Sequence, residues 1–219
     1  MFSQAEENYL KNIYSLQNEE DNSINTNLLA EKMNTKPSSV TDMVKKLAVK
    51  NLVDYKKYQG VSLTEKGEKT ALKVIRKHRL WEYFLVEKLQ YNWEEVHDIA
   101  EQLEHIKSDT LINKLDGFLH FPKFDPHGDP IPDKNGRVPI NHSICLLDLK
   151  VGNVGILNSV KDSSRSFLNY LNKKNIALGD RMKVIDIEEF DKSIHIETRT
   201  HRLVLSKDVA KNLYLKYFK

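Results

Sequence analysis

Four side chains able to bind a metal ion recur at helical spacing within one segment: His97, Glu101, Glu104 and His105. Each residue turns an α-helix by about 100°, so the four would fall within an arc of roughly 100° if residues 93–107 form a helix. Apolar residues of the segment fill the neighbouring arc, which places these ligands beside a buried seam. A carboxylate there is costly to bury unless it is paired, and a bound cation would remove that cost.

Two further ligand types lie on the preceding segment, where His78 and Glu82 are separated by one helical turn. A single histidine or glutamate at a helix edge is usually structural or solvated. Six such groups on two neighbouring helices favour a metal site instead. The alternative is a network of ion pairs with nearby lysine and arginine side chains.

A catalytic metal centre is the competing interpretation, because Glu94 and His97 form a Glu-x-x-His step like those of dinuclear carboxylate enzymes. Such bundles need two of these steps on separate helices, and none of the other seven histidines has a glutamate three residues before it. The sequence also lacks a P-loop and a glycine-rich nucleotide fingerprint. These observations favour a binding protein over an enzyme.

The elements that must position these ligands begin with three short helices and a hairpin. Apolar residues at intervals of three and four predict a helix over residues 5–17, Asn25 caps a second helix, and Pro37 begins a third. Residues 52–58 and 61–63 are predicted strands joined by a Gln-Gly turn. Two helices joined by a tight turn and followed by such a hairpin make a winged helix-turn-helix.

The same segment is basic. Between Lys32 and Tyr58 seven lysines face only two aspartates, a surplus of five positive charges. A surface that binds nucleic-acid phosphates has this composition, whereas the formal net charge of +3 is too small to indicate nucleic acid by itself. The alternative is a solvated, lysine-rich face.

The rest of the chain predicts helices followed by strands. Helices are expected over residues 65–90, 93–107 and about 111–119, and their wide apolar faces indicate packing in a dimer. A proline-rich connection covers residues 121–139. Strands are then expected at residues 144–149, 155–160, 182–187, 194–197 and 203–205, with a helix over 167–171. The predicted fold class is mainly α with a small β-barrel domain at the C-terminus.

Composition excludes several classes of protein. The chain of 219 residues is 40% hydrophobic and 30% charged, and no apolar stretch approaches the ~20 residues that a membrane span needs. Its first residues are acidic where a signal peptide requires a basic start and an apolar run. A single cysteine, Cys145, excludes an intrachain disulfide and fits a reducing compartment. We therefore expect a cytoplasmic protein with no membrane partner.

Short motifs spread along nearly the whole chain form a specific set: Tyr9-Leu10-Lys11-Asn12-Ile13-Tyr14, Pro37-Ser38-Ser39-Val40-Thr41, Leu63-Thr64-Glu65-Lys66-Gly67, Arg76-Lys77-His78-Arg79-Leu80, Val96-His97, Leu103-Glu104-His105 with Ser108-Asp109, and Pro126-His127-Gly128 with Pro130-Ile131-Pro132. With them the chain resembles the diphtheria-toxin-repressor and manganese-transport-regulator family of metal-dependent repressors. The resemblance implies three domains: a winged helix-turn-helix over residues 1–71, a helical metal-binding and dimerisation domain over 72–140, and an SH3-like (FeoA-like) domain over 141–219.

The resemblance also implies metal ligands. One implied site has four members: His78, Glu82, His97 and, from the third domain, Asp162. A second implied site has three members completed from the first helix: Glu101, Glu104 and His105. Asn8 stands where the family usually has methionine or aspartate, so it gives an amide oxygen or nothing, and Glu7 is the substitute. Asp125 and His127 occupy the family's Cys-Pro-His motif, and both can still bind a metal.

Contacts to DNA follow from the same resemblance. In the third helix we expect three hydroxyl side chains to meet base edges and phosphates: Ser38, Ser39 and Thr41. Lysines of this helix and of the wing would meet phosphates: Lys36, Lys45, Lys46, Lys56 and Lys57. For the serines the alternative role is helix capping.

Oxygen and imidazole ligands without a thiolate suit Mn²⁺ or Fe²⁺, so we expect Mn²⁺, with Fe²⁺ as the alternative, at two or more ions per subunit. The predicted function is a non-enzymatic transcriptional repressor of metal-homeostasis genes, which binds a palindromic operator as a homodimer when metal is bound. Bound cations would hold the two winged modules at the spacing of successive major grooves. The alternatives are a winged-helix protein that binds DNA without metal and, less favoured, a dinuclear carboxylate enzyme.

Overall fold

The computed structural model describes residues 2–17 and 23–217. The chain divides into two compact units. Unit 1 comprises Met1–His78, Gln102–Asn113 and Pro132–Arg137. Unit 2 comprises Arg79–Glu101, Lys114–Ile131 and Val138–Lys219. The three domains implied by the sequence stay a prediction.

Unit 1 begins with the winged helix-turn-helix that the sequence predicts. Its elements are α1 (Gln4–Gln17), α2 (Thr26–Lys32), α3 (Pro37–Val49), β1 (Val53–Lys56) and β2 (Gly60–Leu63). The Asn25 side chain accepts a hydrogen bond from the Asn27 amide at 2.8 Å and so caps α2, as expected. Apolar side chains at helical spacing, among them Ile13, Val44 and Leu47, are fully buried. The burial of one stripe on each helix therefore forms the core of this module.

The long helix α4 (Glu65–Leu89) starts against the wing. A Cβ atom on Gly67 would lie 1.9 Å from the carbonyl oxygen of Leu52, so only glycine allows this close approach. Two shorter helices follow, α5 (His97–Leu103) and α6 (Asp109–Phe118). Among the described residues, no helix is both long enough and apolar enough to cross a membrane.

The predicted helix over residues 93–107 is wrong in its extent. Only His97–Leu103 is helical, and Glu104 and His105 lie in the turn that follows. At the front, the Trp93 carbonyl accepts from His127 at 2.8 Å. At the back, the Ile106 amide donates to Leu103 in a tighter, three-residue turn. The four predicted ligands therefore do not form one helical stripe.

The C-terminal part of unit 2 is a six-stranded antiparallel sheet, which confirms the predicted β domain. Its strands are β3 (Ile144–Cys145), β4 (Val154–Val160), β5 (Arg181–Ile187), β6 (Ile194–Glu197), β7 (Arg202–Leu205) and β8 (Leu213–Tyr217), in the order β3-β8-β4-β5-β6-β7. Helices α7 (Arg165–Lys173) and α8 (Lys207–Ala210) connect them. The sequence prediction missed α8 and β8, although β8 pairs with both β3 and β4.

The predicted strand over residues 144–149 is also wrong beyond its second residue. A 3₁₀ turn, Leu146–Asp148, replaces it. Leu146 and Leu149 are both buried. Residues three apart lie on the same side of a 3₁₀ turn but on opposite faces of a strand, so the turn lets both leucines enter the core.

The proline-rich connection is an ordered series of turns within which Gly128 packs on β4. Gly128 has a φ of +85°, and a Cβ atom there would lie 2.1 Å from the carbonyl oxygen of Asn158. The preceding His127 accepts a backbone hydrogen bond from Val160 at 2.9 Å. This pairing fixes the backbone of His127 against the sheet.

Candidate metal centres

Two groups of buried polar side chains account for most of the predicted ligands. We call Glu82, Asp125 and His127 the Glu82 cluster, and it lies in unit 2. We call the other group, in unit 1, the Glu104 cluster: Glu7, Lys11, His78, Glu104 and His105. His78 and Glu82 belong to different units although both lie on α4, one turn apart.

The Glu82 cluster brings three ligand groups to one point. One ligand atom from each residue lies within 4.8 Å of the others, and all three residues are buried. His127 Nδ1 is 3.6 Å from a Glu82 carboxylate oxygen. Ligand atoms held about 2.2 Å from a common ion lie up to ~4.4 Å apart, so the spacing requires only a small inward movement. The donors present therefore fit a divalent cation.

The orientation of the His127 ring is fixed by the backbone. Its Nε2 is 2.8 Å from the Trp93 carbonyl oxygen, which can only accept, so Nε2 carries the hydrogen. In the neutral ring this leaves the Nδ1 lone pair directed towards Glu82. The Trp93 ring lies at 25° to the imidazole plane, with centroids 6.0 Å apart. In metal-binding histidines the ring nitrogen that does not bind the metal typically donates to a carbonyl or carboxylate, as Nε2 of His127 does here.

Asp125 is positioned by the turn that it begins. Its Oδ1 accepts hydrogen bonds from the amides of His127 and Asp129, at 2.8 and 3.0 Å. Its Oδ2 is 3.6 Å from the Arg79 guanidinium. The same arginine donates to the carbonyl of Pro130 at 2.5 Å. The carboxylate is thus held in place with one oxygen directed away from the turn.

Two groups of this cluster, Asp125 and His127, have shifted pKa values. Burial raises the pKa of Asp125 to about 7, with the nearby negative charges of Asp129 and Glu82 acting in the same direction and Arg79 and His127 opposing them. Burial lowers the pKa of His127, but the hydrogen bond and charge of Glu82, with Asp125 and the Trp93 carbonyl, raise it to about 9. In the absence of another cation, protons on Asp125 and His127 therefore balance the negative charge of the buried carboxylates.

His97 and Glu101 lie at the exposed edge of this cluster. His97 Nδ1 is 3.3 Å from Glu82, and its Nε2 is 3.6 Å from Glu101, one turn further along α5. Both side chains are more than 40% exposed. The structure thus brings His97 to Glu82, with Glu101 beside His97.

In the Glu104 cluster one fully buried carboxylate is already surrounded by donors. Lys11 Nζ lies 2.8 and 2.9 Å from the two oxygens of Glu104. His78 Nδ1 lies 2.6 Å from one oxygen, and His105 Nε2 lies 3.7 Å from the other. The opposite nitrogen of the His105 ring faces Glu7 at 2.6 Å. The two carboxylates therefore contact opposite sides of one imidazole and do not converge as chelating ligands.

Two further predicted ligands lie apart from these contacts. The Asn8 side-chain oxygen is buried and accepts no hydrogen bond from any residue that the structure describes. Asp162 lies between β4 and α7, where its carboxylate accepts from the Ser164 amide at 2.8 Å. Within residues 2–17 and 23–217, Asp162 is not a member of a compact ligand group. Its proposed role stays a prediction.

The predicted DNA-contacting residues lie on one module of unit 1. Most are exposed on α3 and the wing: Lys36, Ser38, Ser39, Lys45, Lys46, Lys56 and Lys57. Lys36 occupies the N-cap position of α3, and its side chain makes no capping hydrogen bond. Neither serine therefore caps this helix. Thr41 is half-buried and donates to the Pro37 carbonyl at 3.0 Å. At the wing tip Lys57 lies 4.9 Å from the ring centre of Tyr58, an almost fully exposed aromatic residue that the sequence analysis did not select.

Sequence reasoning also missed Lys11 and the Trp93 carbonyl. Lys11 could have been found, because it lies one turn after Glu7 and so shares a face of α1 with it. No side-chain pattern marks the Trp93 carbonyl, because any residue has one. This contact depends only on the path of the backbone.

Comparisons with known proteins cover nearly the whole chain. Residues 1–61 match the family model described as iron dependent repressor, N-terminal DNA binding domain. Residues 64–133 match the model described as iron dependent repressor, metal binding and dimerisation domain, and residues 144–217 match the FeoA domain.

Individual relatives agree with these models. An uncharacterised HTH-type transcriptional regulator of Methanocaldococcus jannaschii is 41% identical over 117 residues, which are 53% of this chain and 94% of that protein. The iron-dependent repressor IdeR of Mycobacterium bovis is 35% identical over 126 residues, 58% of this chain but only 54% of IdeR. A solved structure described as a manganese-dependent transcriptional repressor in complex with manganese has a TM-score of 0.90 and 35% identity, covering 97% of this chain and all of that one.

Proposed function

Because the chain belongs to the family of metal-dependent transcriptional repressors that includes the iron-dependent repressors and the manganese regulators, we propose that it represses transcription by binding operator DNA when a divalent cation occupies the Glu82 cluster. The observation that supports this is the convergence of three buried ligand groups, Glu82, Asp125 and His127, within 4.8 Å. A cytoplasmic location is part of the proposal, because a repressor must reach its operator DNA.

Glu82, Asp125 and His127 would hold the cation, with His97 and Glu101 at the exposed edge. When bound, the ion supplies positive charge to buried carboxylates that otherwise require protons. A change of charge at the His127 ring would affect the backbone around it. The ring nitrogen contacts the Trp93 carbonyl, and the His127 carbonyl accepts a hydrogen bond from the Val160 amide. A filled site therefore favours one arrangement of this turn and stabilises it by mass action.

We propose Mn²⁺ as the co-repressor, with Fe²⁺ as the alternative. The three ligands offer oxygen and imidazole nitrogen and no thiolate, a set that suits these ions better than softer ones. The relatives include both an iron-dependent and a manganese-dependent repressor, so the identity of the ion depends on more than the family. Further ligands assigned from the sequence, Asp162 and the Glu104 cluster, would give two or more ions per subunit.

The DNA contacts are proposed for α3 and the wing of a homodimer. Exposed Ser38 and Ser39 lie at the start of α3, where neither is needed as a cap, and exposed lysines follow them. Hydroxyl groups there can meet base edges while lysines bind phosphates. Two copies of this module would then meet successive major grooves of a palindrome, about one helical turn apart.

The proposal assigns no catalytic role to the chain. The Glu-x-x-His step of Glu94 and His97 is not helical, since α5 begins at His97. Dinuclear carboxylate enzymes carry such steps on helices. His97 contacts Glu82 and Glu101 instead.

The test is operator binding with and without metal. A palindromic duplex is selected from random DNA with the protein in Mn²⁺, and its affinity is then measured by mobility shift in Mn²⁺ and in chelator. We expect tight binding only in Mn²⁺, and we expect Glu82→Gln to lose the response. Glu188→Gln, which changes an exposed carboxylate paired with His195 on the sheet domain, is the matched control.

Equal binding by the wild-type protein in chelator and in Mn²⁺ would support the alternative of a metal-independent winged-helix protein. A full Mn²⁺ response in Glu82→Gln would show that the Glu82 cluster is not the controlling site.

A further inference from the structure

The Glu104 cluster contains a positive charge of its own. Lys11 reaches both oxygens of Glu104 at 2.8 and 2.9 Å, and Glu104 is completely buried. The Lys11 side chain is only 16% exposed, so most of it is covered by the protein. A carboxylate buried to this extent needs a charged partner, and here the partner is covalently attached to α1.

Lys11 shares its face of α1 with two residues that carry oxygen ligands. Glu7 and Asn8 precede Lys11 on α1 by four and three residues, so all three share one face of that helix. Glu7 contacts His105, the residue after Glu104. The buried Asn8 oxygen accepts no hydrogen bond among the described residues, so α1 carries an unsatisfied acceptor three residues before Lys11.

We propose that Lys11 is a tethered competitor for the cation position of the Glu104 cluster, so that this cluster binds a divalent ion more weakly than it would without the lysine. This deepens the proposed function, on which it rests, by naming the residue that limits metal binding at the Glu104 cluster. An incoming ion must displace the ammonium group from Glu104, and the flexible four-carbon stem of lysine allows it to move into solvent.

The experiment is a titration of metal-stripped, full-length protein with Mn²⁺, in which the electron paramagnetic resonance signal reports free ion. For the wild-type chain we expect a tight step and a second step at least tenfold weaker, or no second step in the accessible range. Lys11→Met should tighten the second step, or reveal it, by at least tenfold. Lys69→Met is the matched control, because Lys69 also pairs with a glutamate on a helix but both side chains are exposed.

Two further variants assign the effect. Lys11→Met combined with Glu104→Gln should lose the added binding, because the carboxylate that the ammonium group released is then missing. Lys11→Arg keeps the positive charge and can bind both carboxylate oxygens, so it should leave the second step as weak as in the wild type or weaker. Lys11→Arg also tests the proposal if removal of the charge prevents folding.

The inference is overturned if Lys11→Met titrates like the wild type within twofold, if the gain persists without Glu104, or if Lys11→Arg tightens the second step. Failure of the proposed function would have a different signature. Wild-type protein would then show no Mn²⁺-dependent operator binding, whatever the number of ions bound.

Discussion

In the Glu82 cluster two buried carboxylates face each other and one imidazole, whereas in the Glu104 cluster the buried carboxylate faces an ammonium group. The first arrangement leaves negative charge to be balanced by protons, as the raised pKa values of Asp125 and His127 indicate. The second is balanced by side chains of the protein itself. Two groups built from similar residue types therefore differ in what they require from solution.

The largest expected effect tests whether the Glu104 cluster is complete without metal. Glu104→Gln should lower the free energy of unfolding of chelator-treated protein by about 4 kcal/mol, because the buried amide would direct a donor at Lys11 or His78 where the carboxylate offers an acceptor. Urea denaturation followed by circular dichroism measures this change.

The counterpart in the Glu82 cluster is Asp125→Asn. It should change the stability of the metal-free protein by less than about 1 kcal/mol, because Asp125 is already about half protonated near pH 7 and its hydrogen-bonded oxygen is retained. Equal losses in the two variants would contradict the distinction between the clusters.

A second prediction concerns the backbone that holds His127. Gly128→Ala should destabilise the protein by about 3 kcal/mol, because it combines a left-handed backbone with a clash against the carbonyl of Asn158. Gly152→Ala is the control, since its φ is +87° but a Cβ atom would meet nothing within 4 Å, and about 1 kcal/mol is expected. Similar urea midpoints for the two variants would show that the turn is not constrained by β4.

A third prediction, with a smaller expected effect than the Glu104 and Gly128 variants, is a pH dependence of cation binding to the Glu82 cluster. With the pKa of His127 raised to about 9, the imidazole is protonated at pH 7.5 and must lose its proton to offer Nδ1. Affinity for Mn²⁺ should therefore rise about tenfold per pH unit between pH 7 and pH 8, which corresponds to about 1.4 kcal/mol. Below pH 7 the slope should steepen as Asp125 also gains a proton.

Calorimetry in two buffers of different ionisation enthalpy measures the protons released, and close to one per ion is expected at pH 7.5. The His127→Asn variant is the comparison, because it lacks the titrating ring. An affinity that does not change with pH in the wild-type protein would exclude His127 as a ligand.

Much of the fold could be predicted because its signals are local. Residue spacing gave the three helices and the wing of unit 1, and the apolar stripe with Val44 and Leu47 is buried as expected. The errors occur where a non-local contact competes with a local pattern. Helix α5 is shorter than the pattern indicates, because the Trp93 carbonyl pairs with His127 instead of continuing a helix. Strand β8 was missed although it lies between β3 and β4 in the sheet.

The sequence by itself determined where most helices form, the basic winged module, and the set of carboxylates and imidazoles from which a cation site can be built. Those features depend on residue type and on spacing within a few turns. The tertiary structure decided how the set is divided: Glu104 meets Lys11, which is 93 residues away, and Glu82 meets Asp125 and His127. Helical periodicity ends where α5 ends, so it could not decide which buried carboxylate contacts a lysine and which contacts a histidine.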